Sequence, residues 1–206
     1  MKTLLTTFFL IFFLSAHAQK VTREVLSTRD LERIVFSSDE IYRISVNTVP
    51  GNEVIITTRS EGEYFNEINL EHEVNGKTLF LNSQYREILQ NGFDKLSAHK
   101  VFSMEVELQV PEDIMLEISS NLASVYLSGA FNSALIQLKN GSCYLDAFMG
   151  DAVINTFDGN ITGTARSMDV EANSRHGEVD VPQIFHGNHK MVLTSINGDI
   201  KLSETK

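Results

Sequence analysis

Polar and apolar residues alternate with period two along much of this chain, and from residue 123 onward the alternation restarts at fixed intervals. Asn140-Gly141, Asp158-Gly159, His176-Gly177 and Asn197-Gly198 mark the same point in successive units, with steps of 18, 18 and 21 residues between the glycines. Ala123, a further 18 residues back from Gly141, begins an atypical first unit. Each marker is followed by a polar and then an apolar residue: Ser142-Cys143, Asn160-Ile161, Glu178-Val179 and Asp199-Ile200. Two positions later stand Leu145, Gly163, Val181 and Leu202. A second alternating stretch recurs in every unit: Ala134, Ile136, Leu138; Ala152, Ile154, Thr156; Val170, Ala172, Ser174; Met191, Leu193, Ser195. Period-two alternation predicts strands with one buried face.

Two short strands in a repeat of 18–21 residues are the arithmetic of a short parallel β-helix, or β-solenoid, of about four coils. One unit alone cannot bury its apolar face. Units stacked at about 4.8 Å build a continuous core from equivalent positions. The Asx-Gly pairs then become a ladder of corners, glycine permitting the bend and the Asx side chain bonding its own turn. The competing reading is a sandwich or a meander of hairpins with tight Asn-Gly turns. Hairpins do not require a constant register in which small residues recur opposite small and apolar opposite apolar.

The N-terminal half lacks this period. Val46 to Thr58 holds Val49-Pro50-Gly51-Asn52 between two β-rich runs, and Ile68 to Leu81 holds Asn75-Gly76, both hairpin signals. Residues 85–100 read as an irregular excursion with one helical turn. Val106, Leu108 and Val110 alternate with charged or amide residues; Pro111 interrupts, and Ile114, Leu116 and Ile118 resume on one face. The expected architecture is all-β: antiparallel β-hairpins over 19–120 capping solenoid repeats over 121–206, continuous as one domain. The charged tail Glu204-Thr205-Lys206 is expected to blunt the far end.

The first residues change the picture of location. Lys2, the apolar run Leu4 to Leu14 and the small-x-small site Ala16-His17-Ala18 read as a signal peptide over 1–18. The run is shorter than the roughly 20 residues a bilayer span needs. Cleavage leaves Gln19 first, with no cysteine there to carry a lipid. The expectation is therefore an exported protein of the periplasm, cell surface or medium, not a lipoprotein, with no transmembrane segment in the mature chain. The net charge of −10 becomes −11 without Lys2. Such an acidic surface disfavours nucleic acid and anionic membrane, both of which demand Lys/Arg clusters. One cysteine, Cys143, allows no internal disulfide.

The signal peptide, the hairpins and the repeats around KNGSCYL, FDGNITG and INGDIKL together resemble the bacterial putative-adhesin family, similar to the head domain of putative auto-transporter adhesins. The resemblance spans most of the mature chain and implies a right-handed β-helix-like fold in an exported envelope protein. It brings no catalytic residue with it.

Candidate chemistry is sparse. His176, His186 and His189 fall close together, but His176 holds a corner position and His186 precedes Gly187-Asn188 in a second corner, so turns account for them without metal. His72 and His99 stand alone. Asp146, Asp151, Asp158 and Asp199 are scattered rather than set in a calcium-binding nonapeptide. Cys143 shares its column with Ile161, Val179 and Ile200, which predicts a buried, inert thiol. Glu171 with Glu178, or Asp169 with Asp180, would be the carboxylate pair of a polysaccharide-active β-helix enzyme, yet there is no Trp to stack a sugar. Asn160-Ile161-Thr162 matches a glycosylation sequon but reads more economically as a corner and an inward Ile. No cofactor and no catalysis are expected.

One outward feature points to binding. Gln137, Asn155, Asn173 and Thr194 align in successive coils beside Leu135, Val153, Glu171 and Val192. This is either a docking face for a glycan or protein, or a face covered by the N-terminal hairpins. The functional expectation is a non-catalytic, adhesin-like envelope module whose glycan or protein partner is unknown. The alternative is a periplasmic structural or assembly component with a dedicated protein partner.

Overall fold

A computed structural model describes residues 20–27, 30–62, 68–85, 102–182 and 187–205. The protein is all-β, with no helix among the described residues. Fifteen strands form one open sheet of mixed parallel and antiparallel pairs. In chain order they are β1 (Lys20–Ser27), β2 (Arg33–Ser38), β3 (Arg43–Val49), β4 (Glu53–Gly62), β5 (Ile68–Asn75), β6 (Thr78–Tyr85), β7 (Phe102–Pro111), β8 (Met115–Ser120), β9 (Ser124–Leu138), β10 (Cys143–Thr156), β11 (Ile161–Ala165), β12 (Met168–Ser174), β13 (Val179–Asp180), β14 (His189–Ser195) and β15 (Ile200–Glu204).

The strands fall into two rows joined by β9 and β10, each long enough to belong to both. The first row runs β1-β4-β7-β3-β9-β10-β11-β15-β13, and the second runs β5-β6-β2-β8-β9-β10-β14-β12. The two long strands are interrupted where they pass between rows. Gly129 has φ 101°, Ala147 φ 47° and Gly150 φ 131°, and the β9–β10 register shifts between Asp146 and Asp151. Phe131 and Phe148 stack there with centroids 5.4 Å apart, filling the bend.

The core is written in columns. Leu81, Phe36, Ile118, Ile136, Ile154, Leu193 and Ala172 occupy one register position of the second row. Val106, Ile44, Val125, Cys143, Ile161 and Ile200 occupy one of the first. Every member of both columns except Ala172 is buried, and both belong to one core cluster, with Ala172 packed against it. Burial of this regular apolar stripe supplies the main driving force, roughly 25 cal/mol per Å² of apolar surface.

At four corners from the second row to the first, a hydroxyl residue stands three positions before a small one; Leu138-x-x-Gly141 and Ser38-x-x-Ile41 depart from this. Ala123 N–H donates to Ser120 Oγ at 2.9 Å, Gly177 N–H to Ser174 Oγ at 3.0 Å and Gly198 N–H to Ser195 Oγ at 2.8 Å. Thr156 Oγ1 donates instead to the Gly159 carbonyl at 2.6 Å. The glycines are required by close approach. A Cβ on Gly141 would sit 1.7 Å from the Ala123 carbonyl oxygen, one on Gly159 1.9 Å from that of Gly141, and one on Gly198 2.0 Å from that of Gly159.

Several expectations are corrected by this architecture. The alternation and the register columns hold, but the repeat units do not pair in sequence order. β14 lies between β10 and β12, and β15 between β11 and β13, so the Met191 row comes before the Val170 row. Small inner residues in every unit make the columns interchangeable, which sequence spacing cannot resolve. Glu204, at the end of β15, therefore does not blunt the end of the stack; β12 and β13 form it. Val179 belongs to the buried column by register yet is 46% exposed, since among the described residues no strand pairs with β13 on its other side.

The N-terminal half is not simply an antiparallel cap. β2 pairs in parallel with β6 and β8, and β3 with β7 and β9, extending the same two rows. Antiparallel pairing is confined to β1–β4, β4–β7 and β5–β6. The expected hairpin over Val46–Thr58 does not form, since β7 is inserted between β3 and β4. The Asn75-Gly76 hairpin does form, with Asn75 opposite Thr78. The Asx side chains at the corners also differ from expectation. They bond the neighbouring coil rather than their own turn: Asn140 Nδ2 donates to the Asn121 carbonyl at 3.0 Å and Asn197 Nδ2 to Asp158 Oδ1 at 2.5 Å. The expected signal peptide and, apart from Tyr85, the excursion over 85–100 lie outside the described residues.

Candidate functional site

The four outward residues singled out from sequence do meet. Gln137 pairs with Asn155, Asn155 with Thr194, and Thr194 with Asn173, the reordered coils placing Thr194 between the two asparagines. The column continues where sequence reasoning did not look: Gln137 pairs with Ser119, Ser119 with Ser37, and Ser37 with Asn82. The result is an unbroken polar ladder, Asn82-Ser37-Ser119-Gln137-Asn155-Thr194-Asn173. Asn155 and Thr194 are half-buried and the rest exposed, so the N-terminal hairpins do not cover it; they lengthen it. Beside it runs Phe80-Val35-Glu117-Leu135-Val153-Val192-Glu171. A shallow groove of 370 Å³ opens at one side of the ladder, where Phe157, Ile196 and Lys139 border Ser119, Gln137 and Asn155.

A second, larger groove of 570 Å³ lies on the outward face of the first row. Arg43, Tyr126 and Tyr144 occupy successive strands there. The tyrosine rings stack at 4.6 Å with 14° between planes, and the Arg43 guanidinium carbon lies 4.2 Å from the Tyr126 centroid. Ring stacking contributes about 0.5–1.5 kcal/mol and an exposed cation–π contact about 0.5–1 kcal/mol. Thr162 follows Tyr144 in the column and is too short to continue the stack, and Tyr144 stays 38% exposed. Arg59 pairs with Glu107 at 3.3 Å, and Ser128 Oγ donates to Asp146 at 3.4 Å. Tyr42 donates its hydroxyl to Glu105; burial, and then that bond, push the phenol up to about 12.

The tyrosine pair carried a signal in the sequence. Each follows a buried column residue, Val125 or Cys143, by one position, and the two are one repeat apart. Arg43 had no such signal, because its strand was assigned to a hairpin rather than to a row beside β9.

Other candidates are dispersed. Glu171 and Asp169 lie on the second row, while Asp180 lies on β13 of the first and Glu178 just before it, so neither candidate carboxylate pair shares a face. His176 sits in the corner before Gly177, and His189 Nδ1 lies 3.6 Å from Asp151 on β10. His99 and His186 lie outside the described residues. His72 pairs with Glu24 at 3.3 Å. Among the described residues no group of three or more His, Cys, Asp or Glu converges to hold a metal. Cys143 is fully buried, and desolvation pushes its thiol up to about 12.

No protein-family model and no curated protein matches the sequence. Solved structures do match. The fold is that of a putative cell adhesion protein from Clostridium sporogenes. The two chains are 12% identical, with a TM-score of 0.63, covering 91% of this chain and 100% of the other. A putative adhesin from Bacteroides fragilis aligns over 89% of this chain and 97% of its own at 12% identity, with a TM-score of 0.37. A putative lipid binding protein from Parabacteroides distasonis aligns over 92% and 98% at 12% identity, with a TM-score of 0.29. At these identities the likeness is one of fold. No described helix is long and apolar enough to cross a membrane.

Proposed function

We propose that this protein is a non-catalytic, exported, adhesin-like module of the cell envelope. In this reading it is a right-handed β-solenoid, with residues 1–18 as its signal peptide and 19–120 and 121–206 folding as one domain. It engages a glycan or protein partner along the ladder from Asn82 to Asn173. The carrying observation is the ladder's continuity: seven strands present one polar side chain each, in register, beside a partly apolar stripe. A regular, rigid and open face suits an extended partner, because little side-chain ordering remains to be done on binding. The shared fold with a putative cell adhesion protein supports the same reading.

The test is protease accessibility on intact cells, read with an antibody to the mature chain, together with retention of the purified protein on whole cells and isolated envelopes. Digestion on intact cells, with retention lost in Gln137→Lys/Asn155→Lys, supports surface binding along the ladder. Protection until the outer membrane is permeabilised favours the periplasmic structural reading instead.

A further inference from the structure

The groove beside Tyr126 and Tyr144 has interior strands for its floor. Its floor strands β7, β3, β9 and β10 each have a neighbour on both sides. No free strand edge is therefore offered, and an extended peptide cannot join by β-augmentation. Two cations, Arg43 and Arg59, stand against three carboxylates, Glu105, Glu107 and Asp146. Arg59 is paired with Glu107, Arg43 lies over Tyr126, and Asp146 accepts from Ser128 but keeps its charge. A strongly anionic ligand therefore meets no surplus of cations, and one net negative charge offers a polycation little hold. What remains is the Tyr126–Tyr144 stack, its one uncovered ring face that of Tyr144 toward Thr162, beside a groove of fixed donors and acceptors that includes Ser45 and Asn47. The volume of 570 Å³ falls within the roughly 300–1,000 Å³ of small-ligand sites.

Those features match a pyranose ring, whose C–H face packs on an aromatic and whose hydroxyls donate and accept at once. We propose that this groove binds a short neutral oligosaccharide. One ring packs on the uncovered face of Tyr144, over Thr162, where Asp146 of the same strand accepts from its hydroxyls. The next sugar reaches across the tyrosine edges into the groove, where Arg43 and Arg59 donate to its oxygens and Glu107 accepts from its hydroxyls. The proposal rests on the binding-module reading but uses the other row of strands, so the two sites separate by mutation.

The test applies the purified protein to an array of neutral glucan, galactan and N-acetylhexosamine oligomers, with sialylated and sulfated sets alongside. Neutral oligomers are expected to be retained. Tyr144→Ala should weaken that retention roughly tenfold, the size of one lost aromatic contact. Tyr144→Phe and the ladder variant Gln137→Ala/Asn155→Ala should leave it intact, with thermal midpoints unchanged. Arg43→Gln is a second groove variant should Tyr144→Ala unfold, and it should weaken retention likewise. Retention of no neutral oligomer, retention of the acidic sets only, or equal retention by the groove variants overturns the proposal. If envelope binding persists and depends on the ladder, the groove alone is wrong; if both fail, the binding-module reading falls with it.

Discussion

Ile200 lies directly beside Ile161, and Val179, which falls between them in sequence, lies on the far side of Ile200. β14 and β15 thus pair inside their rows, although β12 and β13 precede them in sequence. Asp199 N–H donates to Asn160 Oδ1 at 2.8 Å, and Glu178 N–H donates in turn to Asp199 Oδ1 at 2.9 Å, so the interleaved order is bonded on both sides.

Hydrogen exchange should follow the stack rather than the sequence. Amides of β14 and β15 are expected to be protected as strongly as those of β10, while β12 and β13, at the open end, exchange first. Equal protection of β13 and β15 in mass-spectrometric exchange would contradict the interleaving.

The corner ladder is intolerant of a methyl group. Gly159→Ala places a Cβ 1.9 Å from the Gly141 carbonyl oxygen, a backbone atom that cannot step aside. A loss of about 3 kcal/mol or more in urea unfolding is expected, against under about 0.5 kcal/mol for the exposed neighbour Asp158→Asn.

Column parity is tested by adjacent charges. Ile161 is fully buried and Thr162 faces outward. Ile161→Asp should cost several kcal/mol, about 3–5, and unfold much of the population, whereas Thr162→Asp should shift the midpoint little. Similar behaviour of the two would reverse the face assignment.

Cys143 should resist alkylation in the native state. With its thiol pushed up to about 12 by burial, thiolate is scarce at neutral pH and reagent access needs opening. Labelling by iodoacetamide, followed by intact mass, should rise in parallel with denaturant unfolding. Rapid native labelling would place the thiol outside the core.

Tyr42 gives an alkaline signature. Its folded pKa of about 12 exceeds the ordinary 10, so its contribution is complete below pH 10 and is lost as pH rises toward 12. The decline in stability across that window should be shallower in Tyr42→Phe, measured by denaturation at stepped pH.

How far the sequence could be read depended on what kind of contact was at stake. Strand parity, the buried Cys143 column and the corner glycines follow from local chemistry, and they are present where expected except at Val179, which belongs to the column by register but is exposed. The order of coils was not legible, because Ala152, Val170 and Met191 are equally acceptable neighbours in an inner column. The parallel pairing of β3 with β7 was hidden by Pro50-Gly51-Asn52, a good turn sequence that here links two strands separated by a third. The outward ladder was half legible. Gln137, Asn155, Asn173 and Thr194 share the repeat, whereas Ser37, Ser119 and Asn82 reach the same column from outside it. The Tyr126–Tyr144 pair was readable by spacing, and its Arg43 cap was not.

The interleaved coil also sets an order of events. A chain emerging N-terminus first can lay down β10, β11, β12 and β13, but the slot between them stays vacant until β14 and β15 arrive. Its inner face there remains wet, and the ladder of hydrogen bonds from Asn160 to Glu178 has a missing rung. The rows are therefore closed only once β14 and β15 are made, and a chain released before them has a gap between strands rather than a shorter row.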